Sequence, residues 1–285
     1  MGLSVDQRFW IVKRRLQGAS VVFICRQAGI SRDTFYRYWR RFECEGWKGL
    51  GIKSTRPHKI HRTPQETVDL IISLRKTHGW GPCRIEGYLK QKKIDGINPV
   101  GHNTIYRIIK QEGLNTPIDE PRKAVGKTRF QRSEPNQMWQ TDWKLTRDDE
   151  WLITYLDDYS RFIPASDVFD NANTENAVDV LKQAISEYGK PEQILTDQGV
   201  QFYTWQEGGK TKFTKYLERN KIQHIVASKR RPTTIGKVER FNGSYEREAW
   251  RYPNHQDYIH HYNYERPHQA LNYLTPADAY FKKCK

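Results

Sequence analysis

Cysteine is scarce in this sequence and poorly placed for the chemistry it usually signals. Cys25, Cys44, Cys83 and Cys284 fall without C-x-x-C spacing. That argues against a zinc knuckle and against a secreted disulfide scaffold, and leaves reduced, mostly structural thiols as the expectation. Long apolar runs are missing as well, for none approaches the length that spans a bilayer. Met1 leads into a polar, Arg-rich segment with neither the apolar region nor the cleavage site of a signal peptide, so a soluble intracellular chain without a membrane partner is expected. No internal repeat and no long low-complexity tract stands out.

Positive charge is abundant, and it is regional. The formal net charge is +15 over 285 residues. Residues 1–132 hold 27 Lys and Arg against 11 Asp and Glu, a balance of +16, while residues 133–285 hold 21 against 22, a balance of −1. A basic half joined to a neutral half suits a DNA-gripping module attached to something else, because neutralising phosphates releases counterions whatever the base sequence.

The basic half reads as helices. In "VVFICRQAGISRDTFYRYWRRF" one helix runs to about Ala28, Gly29 permits a sharp turn, Ile30 plugs the angle and Ser31 caps the next helix. Phe35, Tyr38, Trp39 and Phe42 form an apolar stripe on that helix. Arg32, Tyr36, Arg37 and Arg40 lie on the other face, where a major groove can be read. Residues 1–52 are therefore expected to form a helix-turn-helix DNA-binding domain. A second is expected over 60–115, opening at "TPQETVDLI" with Thr63 as cap, Pro64 at the first helical position and Glu66 completing a capping box. Its last helix, "HNTIYRIIKQEGL", offers His102, Asn103, Thr104 and Arg107 to DNA. A basic linker follows at 116–134.

From about Met138 the texture changes. "MWQTDWKLT", "WLITYLDDYS" and "FIPASDVF" read as three strands of a meander, followed by helix, strand, helix, strand and helix. The order βββαβαβα is an α/β layer with a mixed sheet. Three acids stand out by position: Asp142 on the first strand, Asp197 at the tip of the fourth, and Glu239 on the last helix. Fifty-four residues separate the first pair and 41 the second, so only folding can bring them together. Converging carboxylates with open coordination positions suit Mg²⁺ and phosphoryl transfer. Asp157 and Asp158 compete as carboxylates on the neighbouring strand.

The motifs "WQTDW", "LDDYSRFIPA", "ILTDQGVQF", "GKVERFNGSYERE" and "YNYERPHQALNYLTPADAY" carry a resemblance. Residues 133–285 resemble the catalytic domain of the DDE transposases of bacterial and archaeal insertion sequences, kin to retroviral integrases. The resemblance implies a ribonuclease-H-like catalytic core with a mixed five-stranded sheet at 135–252, a C-terminal helical segment at 253–285, and all-α helix-turn-helix domains in front. It implies that Asp142, Asp197 and Glu239 are the catalytic residues and bind two metal ions, Mg²⁺ or alternatively Mn²⁺. It also implies a prokaryotic, nucleoid-associated cytoplasmic protein. Two departures bear on Glu239. The interval before it exceeds the family's usual one, an excess that a hairpin at the Gly208-Gly209 turn can absorb, and Ile235-Gly236 stands where Asn-Gly is common.

The sequence thus leads to a transposase or integrase that cuts and joins DNA strands. Double-stranded DNA, as terminal inverted repeats and as target, and a homo-oligomer, dimer or higher, are the expected partners. Lys237 and Arg240 contact phosphates beside the scissile bond or else pair with charges on their own helix. Arg266 and His268 are expected to order the C-terminal segment. A catalytically inactive relative that only binds DNA is the alternative; a ribonuclease acting on hybrids is disfavoured by the tandem helix-turn-helix units.

Overall fold

The computed structural model describes residues 3–54, 62–115, 131–206, 209–227 and 235–282. The linker expected at 116–134 lies outside these for residues 116–130, as do Cys284 and Gly208 of the expected hairpin. The chain divides into two compact units, Met1–Arg62 and Thr63–Lys285.

The first unit is a helix-turn-helix. Helix α1 (Val5–Leu16) starts at a capping box on Ser4, α2 (Val21–Ala28) is capped by Ser20, and α3 (Arg32–Glu45) by Ser31, whose hydroxyl accepts from the Thr34 N–H. Gly29 makes the turn at φ 61°, a left-handed conformation that costs glycine nothing. Ile11, Val12, Ile24, Phe35, Tyr38 and Leu50 fill the core, with Ile30, Trp39 and Phe42 packed on it. The aromatic stripe of α3 is thereby spent on packing.

The second unit opens with three helices, α4 (Gln65–His78), α5 (Pro82–Lys92) and α6 (His102–Gln111), around Ile71, Leu74, Trp80, Ile85, Leu89, Ile105 and Ile109. The cap expected at Thr63 does not form. Pro64, extended at φ −55° and ψ 145°, occupies the position before α4, which has no side-chain cap.

The sheet follows. Strands β1 (Met138–Leu145), β2 (Trp151–Asp157) and β3 (Ala165–Phe169) run antiparallel in sequence; β4 (Gln193–Thr196) and β5 (Gln223–Val226) are added parallel beside β1, giving the order β3-β2-β1-β4-β5. Helices α7 (Thr174–Tyr188) and α8 (Lys212–Arg219) cover one face, burying Trp139, Tyr155, Leu181, Phe213 and Leu217. The other face packs Leu152, Leu156 and Ile163 against α9 (Gly236–Glu248) and α10 (His255–Tyr264) through Phe241, Tyr258 and Tyr262. A short α11 (Pro276–Phe281) closes the chain, with Tyr280 stacked on Phe162. This is the expected α/β arrangement, a ribonuclease-H-like mixed five-stranded sheet behind all-α domains.

Helices α4 and α5 belong to the same compact unit as the sheet, and buried polar contacts account for it. Arg84 reaches Glu248 at 3.4 Å, and Arg266 grips the same carboxylate with two bonds of 2.7 and 2.8 Å. The His78 ring stacks on His261 at 4.6 Å, and burial lowers the pKa of both, that of His261 to about 4. Arg266 also bonds His268 at 3.2 Å. Both residues order the C-terminal segment, as their sequence context suggested.

Candidate active site

Alternation along β1 sorts its side chains. Trp139 and Trp143 turn to the α7 side, so Gln140 and Asp142 turn to α9. Gln140 accepts from the Val238 N–H at 3.4 Å, and Asp142 accepts from the Asn242 side-chain amide at 3.4 Å. Asp197 arrives through the strand register. The parallel pairing of Gln140 with Leu195 brings the residue two further along each strand, Asp142 and Asp197, to neighbouring positions at the end of β4, with strands about 4.8 Å apart. The Gly199 N–H donates to the Asp197 carboxylate at 2.8 Å, and a Cβ at Gly199 would stand 3.0 Å from that same oxygen. Glu239 sits in the first turn of α9, exposed beside the buried Val238.

The electrostatics register the convergence. Burial first, then the Asp197 and Glu239 carboxylates, push Asp142 up to about 7. A cation placed among them would offset that repulsion. The surrounding donor set fits one: Asn242, whose amide nitrogen reaches Asp142, keeps its Oδ1 buried with no hydrogen-bond partner, and all three acids present the hard oxygens that Mg²⁺ and Mn²⁺ prefer. Among the described residues no three such side chains are already drawn tightly enough to hold an ion, so closing on one requires side-chain movement.

An open groove of about 870 Å³ runs from Asp142 and Glu239 past Lys144, Arg147 and Arg247. Its cationic wall suits a phosphate backbone. Arg147 pairs with Glu246 at 3.1 Å. Asn242, Lys144, Arg147 and Arg247 escaped the sequence reading, although two signals pointed there. Asn242 is three residues past Glu239 on one helix face, and Lys144 is two past Asp142 on one strand face.

The competing carboxylates are otherwise engaged. Asp157 accepts from the Ser160 N–H and hydroxyl at 2.7 and 2.6 Å and from the Asn136 N–H at 2.9 Å. Asp158 is fully buried against Lys237 at 2.5 Å. Glu248 is held down to about 2, burial notwithstanding, by Arg266 and Arg84. Lys237 itself is lowered to about 8 by burial and by Arg161, whereas Arg240 is exposed. In the first unit, Arg32, Tyr36, Arg37 and Arg40 all lie exposed on one side of α3. On α6, His102, Asn103 and Arg107 are exposed and Thr104 half-buried, with His102 held by Glu86 at 3.0 Å.

Comparison with known proteins identifies the family of the core. Residues 132–232 match a family model described as integrase core domain, residues 220–276 a second model of that description, and residues 10–68 a winged helix-turn-helix. A candidate integrase, ORF3, of Spiroplasma virus SpV1-C74 is 26% identical over 287 residues, covering 86% of this chain and 79% of its own length. The transposase for transposon Tn552 of Staphylococcus aureus is 27% identical over 235 residues, covering 70% of this chain and 48% of that one. Among solved structures, the simian T-cell lymphotropic virus intasome in complex with a PP2A regulatory subunit gives 17% identity and a TM-score of 0.47, covering 74% of both chains. Among the described residues no helix is long and apolar enough to cross a membrane.

Proposed function

Residues 132–276 form an integrase core of the kind carried by the DDE transposases of insertion sequences, and from that membership we propose that this chain binds the ends of a DNA element and cleaves and joins strands there by phosphoryl transfer. The observation that carries the reading is the convergence of three carboxylates from separate elements, Asp142 on β1, Asp197 in register just past β4 and Glu239 in the first turn of α9, the last two close enough to act on Asp142. Asp142, Asp197 and Glu239 would hold the divalent ions, Mg²⁺ or Mn²⁺, two per site, and ions bound there would supply Lewis acidity for the phosphoryl transfer.

The chain's own residues do the rest. Asn242 fixes one Asp142 oxygen and Gly199 fixes Asp197, so the ligands are oriented before substrate arrives. Lys144, Arg147 and Arg247 line the groove that takes the phosphate backbone. Exposed Arg32, Tyr36, Arg37 and Arg40 on α3, and His102, Asn103, Thr104 and Arg107 on α6, read the duplex ends. Arg240 meets phosphate near the scissile bond. Two ends joined to one target require at least two chains, so the working form is a dimer or higher oligomer on DNA.

The test replaces Asp197 by Asn or Glu239 by Gln and follows labelled element-end DNA. Cleavage and strand transfer should vanish while end binding persists. Full cleavage by the Glu239→Gln protein refutes the assignment of the third ligand.

A further inference from the structure

We infer that Lys237, Asp158 and Gln140 form a buried clamp that sets where Glu239 stands relative to Asp142, which makes Lys237 a positioning residue rather than a DNA contact. The inference rests on the phosphoryl-transfer reading above. Helix α9 begins without a side-chain cap from its own chain neighbours, although the first N–H groups of a helix need partners. Gln140 on β1 supplies one, its Oε1 accepting from the Val238 N–H at 3.4 Å. The other end of the same amide donates to Asp158 Oδ1 at 2.7 Å. Lys237 closes the loop, its ammonium lying 2.5 Å from that carboxylate oxygen and donating to the Asp158 main-chain oxygen at 2.9 Å. The second carboxylate oxygen accepts from the Arg132 N–H at 2.7 Å.

Three elements are tied together at one point: the strand carrying Asp142, the turn after β2, and the first turn of the helix carrying Glu239. Residues two apart on a helix point to different sides, so Lys237 reaches the sheet while Glu239 reaches the cleft. Asp158 has no exposed surface and the Lys237 side chain is only 17% exposed. An ammonium held by a buried carboxylate would leave that charge uncompensated if it swung out to a phosphate. Arg240, exposed on the same turn, has no such tie in the clamp. Glu239 lacks a strand to hold it, so its distance from Asp142 follows from how α9 is pinned.

The experiment measures Mn²⁺ binding to the full chain without DNA, alongside end binding at several salt concentrations, for wild type, Lys237→Met, Asp158→Asn, the double variant, Lys237→Arg and Glu239→Gln. Loss of a support behind metal ligands typically weakens affinity about 10- to 100-fold, and that loss is expected for Lys237→Met and Asp158→Asn, with end binding and its salt dependence unchanged. Lys237→Arg should keep most of the affinity. The double variant should lose no more than the worse single, and because it buries no unpaired charge it stands in for any single that fails to fold. Wild-type Mn²⁺ affinity in a folded double variant overturns the clamp. So does Lys237→Met that keeps Mn²⁺ affinity but binds DNA more weakly, with a salt slope reduced by about one. A wild-type chain whose Mn²⁺ binding is absent, or indifferent to Glu239→Gln, overturns the phosphoryl-transfer reading and the clamp with it.

Discussion

Removing the charge at Asp142 should stabilise the metal-free protein, and should do so only where that carboxyl would otherwise be ionised. Folding raises its pKa from an ordinary 3.8 to about 7, so the fold prefers the protonated acid. The benefit is present in full below about pH 3.8, fades as pH rises, and is gone above about pH 7. Roughly three pKa units at about 1.4 kcal/mol each come to about 4 kcal/mol of stability lost at pH 8. Asparagine cannot ionise and escapes that loss. In EDTA, Asp142→Asn should therefore melt close to wild type near pH 4 and above it at pH 8, by roughly 8–16 °C for a unit of this size. Thermal melts followed by circular dichroism across pH 4–8.5 make the measurement. Added Mg²⁺ should raise the wild-type melting temperature at pH 8 and leave the variant where it was. A stability difference that does not grow with pH, or a variant less stable than wild type at pH 8, refutes the claim that three carboxylates crowd one another here.

Glu248→Gln should destabilise the unit by about 3–5 kcal/mol in urea melts, because it leaves Arg84 and Arg266 buried without their counter-charge; a change under about 1 kcal/mol would mean that other groups satisfy them. Arg32→Ala and Arg37→Ala on the exposed side of α3 should weaken binding to element ends by about 1–3 kcal/mol wherever a bidentate guanine contact is lost, as read by gel shift against unrelated duplex. An equal loss on all sequences would make the contact a phosphate one, and no loss in either variant would move end recognition to α6.

The element plan of the catalytic half was legible because its signals are local. Alternation placed Asp142 on a strand, the capped amphipathic run placed α7, and Ser31 began α3 as its side chain requires. At Thr63 the same reasoning failed, since a T-P-Q-E pattern is compatible with a helix starting at Pro64 and also with Pro64 extended before it, and the chain takes the second course. Partnerships across the fold were not legible at all. Lys237 and Asp158 stand 79 residues apart, and Arg84 and Glu248 stand 164 apart; nothing in either local sequence names the other. Lys237 reads in sequence either as a phosphate contact or as a charge paired on its own helix, yet its partner Asp158 lies on another element, since its neighbours in sequence are not its neighbours in space.

Choosing among acids is where structure adds most. The sequence offers seven carboxylates near the strand ends and along α9, and charge alone cannot rank them. Satisfaction can. Asp157 is met by Ser160 and Asn136, Asp158 by Lys237 and Gln140, Glu246 by Arg147, and Glu248 by two guanidiniums. Asp157, Asp158 and Glu248 thereby have the donors or cations that burial demands, whereas Glu246 meets Arg147 through one oxygen and keeps the other buried without a hydrogen-bond partner. Asp142 has instead one long side-chain amide contact, the Trp143 N–H, the more distant charge of Lys144 and two like charges, with the unpartnered oxygen of Asn242 on the residue that donates to it. A fold that spends guanidiniums on Glu248 and an ammonium on Asp158, yet sets only the Lys144 charge near Asp142, leaves that carboxylate for a cation from solution. The glutamate that joins it, Glu239, stands on a helix end that its own neighbours do not cap. The two facts have one explanation: Lys237 and Gln140 are placed to hold the helix, while Lys144, Arg147 and Arg247 line the groove beside the acids.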